Sequence, residues 1–398
     1  MTREMSTVIA TRLAGRAALG SVVLLFLVNG LVIGGYAAAL PTLRDRHQMT
    51  GWQFPGVLFA AGVFGIISMQ IGGRLADRFG ARPVALAALP VLGAGILILC
   101  LGPAYPFALI GAAVLGLGNG ALDVAMNAYG VQVEQARHQA VMSRLHAMWS
   151  LGNFGGAGLV LLLAMIPGLA GAGVLPWLGL IAAVASLASL LLLLRLAPPA
   201  APLSHKDEST GARTKVPAAA WLLGLMAIAF GLGEGTAFDW SSVHVTDVAR
   251  VSPTTGALGL TTVAAAMFLI RLAGDSLVTR FGRRTVVRFG GVCAALGYLL
   301  VATLTPLPVL VVGWALVGLG MGMIAPQVYA VAGHLGGGRV LAMVVTFGYA
   351  TFLAGPGVMG GLVQLLGIQH AMFVPAVLLT GLLFLAVVMP KEDRDLAE

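Results

Sequence analysis

The chain contains twelve apolar stretches of about 20 residues, each long enough to cross a bilayer as a helix. They are centred near residues 30, 63, 93, 117, 153, 185, 229, 265, 295, 318, 352 and 379. Charged residues make up 10% of the sequence and the mean hydropathy is +0.95, whereas a soluble domain carries about 25% charged residues. The sequence therefore predicts an all-α membrane protein with twelve transmembrane helices, numbered here as spans 1 to 12.

The basic residues are distributed unevenly between the two ends of the spans. The formal net charge is +8, and 20 of the 23 Lys and Arg residues fall on the inner side if the N-terminus lies inside. Only Arg44, Arg46 and Arg250 fall outside. This distribution follows the positive-inside rule. It predicts a multi-pass protein of the bacterial inner membrane with both termini in the cytoplasm, and the lipid bilayer rather than nucleic acid explains the charge.

A Pro-rich polar segment interrupts the apolar pattern between spans 6 and 7. It reads PPAAPLSHKDESTGARTKVP, and we place a cytoplasmic linker at residues 197–217. The sequence thus predicts an N-terminal six-helix half at 1–196 and a C-terminal six-helix half at 218–398.

An internal repeat with an offset of 202 residues supports this division. The segment GGRLADRFGARPV at 72–84 aligns with GDSLVTRFGRRTV at 274–286, and GLGNG at 116–120 aligns with GLGMG at 318–322. Because each half has an even number of spans, both copies have the same topology. The pattern is typical of a parallel repeat about an axis along the membrane normal.

The loop after span 2 carries a family resemblance. Its sequence, GRLADRFGAR at 73–82, resembles the G-x-L-a-D-r-x-G-r-k signature of the major facilitator superfamily. The runs DVAMNAYG at 123–130, MSRLH at 142–146 and WSLG at 149–152 further resemble the fucose-permease-like branch and its uncharacterised bacterial relatives. The resemblance implies two pseudo-symmetric six-helix halves and transport by alternating access around a midplane site.

The same resemblance implies a gate at the cytoplasmic side. In the loop, Asp77 lies among Arg74, Arg78 and Arg82. The family pattern implies that Asp77 contacts the other half near Arg339 when that side is closed. The alternative is a solvated loop that only sets topology.

The second copy of the loop departs from the signature. Thr279 stands at the position equivalent to Asp77, and the acid nearby is Asp275. Because Arg271 precedes Asp275 by four residues, we expect the two to pair on span 8. With Arg280, they form the predicted second gate cluster.

Span 4 holds the most informative polar pattern. Asn119, Asp123 and Asn127 are four residues apart and therefore share one helix face. A carboxylate in mid-membrane is costly, by about 2.5–3.5 kcal/mol, and must face protein or water. We therefore predict that Asp123 couples proton movement to transport, with His146 as a relay partner. The alternative is a structural Asp tied to Arg144 or His146.

Span 7 offers a second intramembrane carboxylate. Glu234 lies between two glycines and is our second candidate for proton coupling. Its alternative is a helix-end residue wetted from outside. We expect Asp239, nearer the outer end of the span, in an extracellular vestibule.

The predicted substrate site combines amides and aromatic rings with few fixed charges. This mixture favours a small polar solute, sugar-like by the branch resemblance, and we expect a monomeric protein. The candidate substrate-binding residues are Asn29, Tyr36, Asn119, Asn127, Trp149, Asn153, Gln327 and Tyr329.

Enzyme signatures are absent from the sequence. There is no P-loop, no H-E-x-x-H and no G-x-S-x-G motif. We expect no cofactor and no metal site, and Cys100 and Cys293 fit as apolar fillers without a disulfide. Two rivals stay open. One is proton-driven efflux of amphipathic drugs, favoured by the glycine-proline run at 355–361, and the other is a non-transporting receptor or scaffold.

Overall fold

Every regular element in the described residues is helical, so the predicted fold class is confirmed. The computed structural model describes residues 13–137, 141–198 and 217–390. Most of the predicted linker, 199–216, lies outside the described residues. Before it come α1 (Arg16–Arg46), α2 (Gln53–Phe79), α3 (Ala81–Leu101), α4 (Tyr105–Arg137), α5 (Met142–Ala164) and α6 (Val174–Leu196).

The chain after the linker repeats this pattern with one difference. Its long helices are α7 (Ala218–Ala249), α8 (Leu258–Phe281), α9 (Arg283–Thr303), α10 (Leu307–Leu366) and α11 (Phe373–Leu385). The sequence predicts two spans within α10, whereas the helical assignment is continuous over its 60 residues. At 1.5 Å per residue a straight helix of that length would be about 90 Å long, three times the apolar core of a bilayer.

The packing of α10 shows that it turns back on itself. A Cβ added to Gly348 would lie 2.7 Å from the hydroxyl of Tyr329. Along a straight helix these two residues would be about 28 Å apart. The chain therefore reverses between them and forms two legs, which contain the apolar segments Leu307–Ala332 and Ala354–Leu366. The described residues include eleven helices long and apolar enough to cross a membrane, and the second leg adds a shorter apolar segment at the position of the twelfth predicted span.

The contacts divide the chain into two compact units. One comprises residues 1–36 and 42–211, and the other comprises residues 37–41 and 212–398. The sequence boundary between the larger segments falls within the polar stretch between α6 and α7.

The 202-residue repeat extends to the packing within each unit. In each copy a glycine on one helix meets the backbone or side chain of a neighbouring helix where its Cβ would stand. The matched pairs are Gly116 with Ala61 and Gly318 with Val263, Gly95 with Leu115 and Gly297 with Val317, and Gly118 with Leu92 and Gly320 with Ala294. Close backbone approach through small residues is how membrane helices associate, so the duplicated glycines build the same helix packing in both units.

Helices α1 and α5 pack through a second glycine pattern. Gly30 and Gly34 on α1 face Gly152 and Gly156 on α5, and a Cβ at any of the four would collide with the opposing backbone. A spacing of four residues keeps each pair of glycines on one face. This contact brings the polar side chains beside it within hydrogen-bonding distance.

We expect Gly152→Ala to lower the free energy of unfolding by about 1–3 kcal/mol, because the new Cβ would overlap the carbonyl oxygen of Leu27. Thermal unfolding of the purified protein measures the change. Gly158→Ala on the same helix is the control, because nothing lies within 4 Å of its Cβ position, and a helical alanine there is neutral or slightly stabilising. Equal melting temperatures for the two variants would show that α1 and α5 accommodate the added methyl group without loss of stability.

Candidate functional site

Three predicted substrate-site residues form one hydrogen-bonded network in the first unit. The indole Nε1 of Trp149 on α5 donates to Asn29 Oδ1 on α1 at 2.7 Å. Asn29 Nδ2 in turn donates to Asn119 Oδ1 on α4 at 2.8 Å. Asn29 is 1% exposed. It therefore links three helices and holds the indole and the second amide in fixed orientations.

Asp123 lies one helical turn beyond Asn119 on α4. Asn127 Nδ2 donates to the backbone carbonyl of Asp123 at 2.8 Å and reaches its Oδ1 at 3.3 Å. The carboxylate forms no ion pair with any described Lys or Arg, and Arg144, its suggested structural partner, is exposed. Asp123 is thus a half-buried carboxylate within a transmembrane helix whose charge no described cation balances.

The other predicted residues of α1 and α5 are held by local contacts. His146 Nδ1 lies 3.0 Å from the carbonyl oxygen of Met142, and its ring meets the edge of Phe26 at 5.3 Å. Asn153 is fully buried and donates to the carbonyl of Trp149 at 3.1 Å, and Tyr36 is also buried. The relay between His146 and Asp123 stays a prediction.

In the second unit, Glu234 is half of a buried ion pair. Arg271 Nη2 on α8 lies 3.3 Å from Glu234 Oε1 on α7, and the two side chains are 9% and 16% exposed. The sequence predicts Asp275 as the partner of Arg271, but the Asp275 side chain lies outside the described residues. Arg271 and Glu234 lie on different helices, so a positive charge on α8 balances the carboxylate on α7.

Gln327 and Tyr329 occupy different surroundings on the first leg of α10. Arg283 Nη1, on the first residue of α9, donates to Gln327 Oε1, so Gln327 lies at the level of the loop between α8 and α9. Tyr329 packs edge-on against Phe230 of α7 with ring centroids 5.6 Å apart.

The predicted gate loops have matching local structure. Gly80 and Gly282 end α2 and α8 with φ values of 91° and 76°, a conformation that favours glycine. The guanidinium groups of Arg78 and Arg280 each lie over the following phenylalanine ring, at 5.1 and 5.2 Å. Arg82 donates to the carbonyl of Leu194 at 3.2 Å.

The remaining gate predictions concern Arg74, Asp77 and Arg339. Arg74 is exposed and Asp77 is half-buried. The suggested partner of Asp77, Arg339, has its side chain outside those described. The gating role of the loop stays a prediction.

Two contacts were absent from the sequence-based predictions. The pairing of Glu234 with Arg271 joins residues 37 apart in sequence, and no local signal indicates it. The α1–α5 contact could have been anticipated in part, because glycines are spaced four residues apart in both spans. This spacing predicts close helix packing but does not indicate which helix is the partner.

Comparison with known proteins identifies the family. Residues 22–270 and 222–398 match the family model described as Major Facilitator Superfamily. The chain belongs to the major facilitator superfamily. It is 33% identical to the Uncharacterized transporter y4wD of Sinorhizobium fredii over 356 residues, which cover 88% of this chain and 92% of that protein. It is therefore a transporter and not an enzyme.

Solved structures of the superfamily share its fold. The nucleoside transporter NupG matches with a TM-score of 0.68 and 14% identity over 94% of this chain and 98% of that one. A variant of the E. coli fucose:proton symporter FucP matches with a TM-score of 0.63 and 18% identity over 92% and 97%. The family model confirms the predicted superfamily, and these solved structures confirm the fold.

Proposed function

We propose that this superfamily member moves a small polar solute across the bacterial inner membrane by proton-coupled alternating access. The observation that carries the proposal is Asp123, a transmembrane carboxylate without a cationic partner among the described residues. An ionised group in that position is costly, whereas the protonated acid is not. The carboxyl can therefore gain and lose a proton as its access to water changes.

The amide network next to Asp123 favours an uncharged, hydroxylated solute. Asn119 and Asn127 flank the carboxyl on the same helix face. The hydrogen bonds from Trp149 to Asn29 and from Asn29 to Asn119 connect that helix face to α1 and α5. Amides recognise hydroxyl groups by hydrogen bonds, and an indole ring packs on the face of a sugar or base. Two structural neighbours, a fucose:proton symporter and a nucleoside transporter, are named for solutes of this kind.

The topology follows from the placement of the basic residues. We place both termini in the cytoplasm because the positive-inside distribution requires it. The protein works as a monomer in the bilayer, and its partners are the solute and protons.

Flux in proteoliposomes tests the proposed function. The purified protein is reconstituted, a pH gradient is imposed, and sugars, nucleosides and cationic dyes are screened for uptake and for solute-driven proton movement. We expect accumulation of a sugar or nucleoside that collapses when the gradient is removed. Gradient-driven movement of dyes alone would favour drug efflux, and no flux for any solute would favour a receptor or scaffold.

The Asp77 loop gives a separate prediction about gating. We expect Asp77→Asn to shift the balance between inward-open and outward-open states, because the loop would lose the charge that the family pattern uses to close the cytoplasmic side. Accessibility of single cysteines placed at the two membrane faces measures this shift. Asp247→Asn, which neutralises an exposed carboxylate at the end of α7 and leaves the loop unchanged, is the control. Accessibility identical to wild type in Asp77→Asn would reduce the loop to a topological role.

A further inference from the structure

A small cavity lies within the second unit, between α7 and the second leg of α10. Its volume is about 20 Å³, room for a single water or a small ion. None of the predicted solute-site residues lines it. The polar residues that line it are Thr236, Asp239, Trp240 and Thr351. Gly355 and Pro356 also line it.

Asp239 is the charged group of this cavity. It is half-buried within α7, and within the described residues its carboxylate has neither an ion pair nor a hydrogen bond. Gly231, two turns before Asp239 on α7, lines the same cavity, and the outer vestibule expected for Asp239 stays a prediction. An isolated carboxylate in a transmembrane helix calls for a counter-charge or a proton.

Thr236 provides a second unsatisfied oxygen. Its side chain is 2% exposed and its Oγ1 has no hydrogen-bond partner among the described residues. Other hydroxyls on the described helices donate to the carbonyl four residues earlier, among them Ser150, Ser186, Thr246, Thr261, Thr351 and Thr380. Thr236, like Thr42, Ser241 and Ser242, makes no such bond, and of these four only Thr236 lines the cavity, one turn from Asp239.

The opposite wall is formed in part by Thr351 and Pro356 on the second leg of α10. Thr351 donates its hydroxyl hydrogen to the carbonyl of Phe347 at 2.9 Å, which leaves lone pairs on Oγ1. Pro356 lies inside the helix and has no N–H for the carbonyl of Phe352. Carbonyls freed by an intrahelical proline are tolerated in a membrane where they line a polar cavity.

We propose that this cavity is a binding site for a single sodium ion. Hard cations prefer oxygen ligands, and one carboxylate residue, Asp239, lines this cavity together with two hydroxyl residues, Thr236 and Thr351. One carboxylate balances one positive charge, whereas a divalent ion would leave an excess charge within the membrane. A cavity of about 20 Å³ has room for a small ion, and we expect an organic cation such as choline to bind more weakly. The site is separate from Asp123, which lies in the other unit.

Thermal unfolding of the full-length purified protein tests the site. NaCl replaces choline chloride at constant ionic strength, so that general screening is unchanged. We expect the melting temperature to rise along a saturating curve with sodium, since a ligand that binds only the folded state stabilises it. Asp239→Asn should abolish the response, and Thr236→Val should raise the half-saturating concentration about tenfold, because it removes one oxygen ligand.

Two matched variants serve as controls. Asp247→Asn removes an exposed carboxylate farther along α7, and Thr261→Val removes a hydroxyl that donates to its own helix. Both should keep the wild-type sodium response. Binding of radioactive sodium to wild type and to Thr236→Val gives the same comparison if Asp239→Asn cannot be purified.

The proposal is overturned if sodium and choline stabilise equally, if Asp239→Asn keeps the sodium response, or if stability follows pH alone. None of these results depends on transport. If the sodium site is disproved, the proposed proton-coupling role of Asp123 is unaffected and is tested separately.

Discussion

Replacing Asp123 by Asn is expected to abolish uphill transport while leaving downhill exchange intact. With one proton per solute, a gradient of one pH unit can sustain about tenfold accumulation. An amide of nearly the same shape cannot carry the proton, so the accumulation ratio of Asp123→Asn should fall to about one. Counterflow between equal solute concentrations needs no net proton movement and should continue. Uptake and counterflow in proteoliposomes measure the two quantities.

The control for this variant is Asp247→Asn, which neutralises an exposed carboxylate at the end of α7. It should accumulate the solute as wild type does. Asn127 can still bond to the backbone carbonyl of residue 123 after the substitution, so we expect Asp123→Asn to fold normally. Full accumulation by Asp123→Asn would remove this residue from the coupling mechanism.

Replacing Arg271 by Met is expected to destabilise the protein by about 3 kcal/mol. The substitution leaves the carboxylate of Glu234 buried in the membrane without the guanidinium that lies 3.3 Å away. Breaking a buried ion pair from one side costs about 3–5 kcal/mol, because the remaining charge loses its compensation. Unfolding of the purified protein, followed by heat or denaturant, measures the change.

The double variant Glu234→Met with Arg271→Met tests whether the loss of stability comes from the uncompensated charge of Glu234. Removing both charges leaves no uncompensated group, so this variant should recover about 2 kcal/mol relative to Arg271→Met alone. Arg280→Met, which removes an exposed arginine at the end of the same helix, is the control. If Arg271→Met unfolds at the same temperature as Arg280→Met, the ion pair contributes nothing to stability.

The two units share a scaffold but differ in chemistry. At the 202-residue offset the packing glycines coincide, as with Gly116 and Gly318. The polar groups do not coincide, because Ala325 stands where Asp123 does and Met69 stands where Arg271 does. The two units therefore share helix packing but differ in their charged groups: the first holds the unpaired Asp123, and the second holds the Glu234–Arg271 ion pair and Asp239.

Local sequence properties were sufficient for much of this description. The twelve spans follow from stretch length and hydropathy, and the face shared by Asn119, Asp123 and Asn127 follows from helical periodicity. The gate-loop glycines could be recognised from the repeated loop sequence, and in the structure both end their helices with positive φ. The sodium site was not predictable, because the hydroxyl of Thr236 and the carboxylate of Asp239 become informative only when their lack of partners is known.

Sequence alone determined the class of protein, its repeat and the helix face that carries the principal acid, because these depend on bilayer thickness and on a period of 3.6 residues. Tertiary structure alone decided which polar groups meet. Asn29 and Asn119 are 90 residues apart, and Glu234 and Arg271 are 37 apart. Their pairing depends on which helices pack together and on how each helix is rotated about its axis. Glycine contacts between segments distant in sequence determine both the packing and the rotation. Asp123 remained without a cation because no described arginine or lysine was brought to its side.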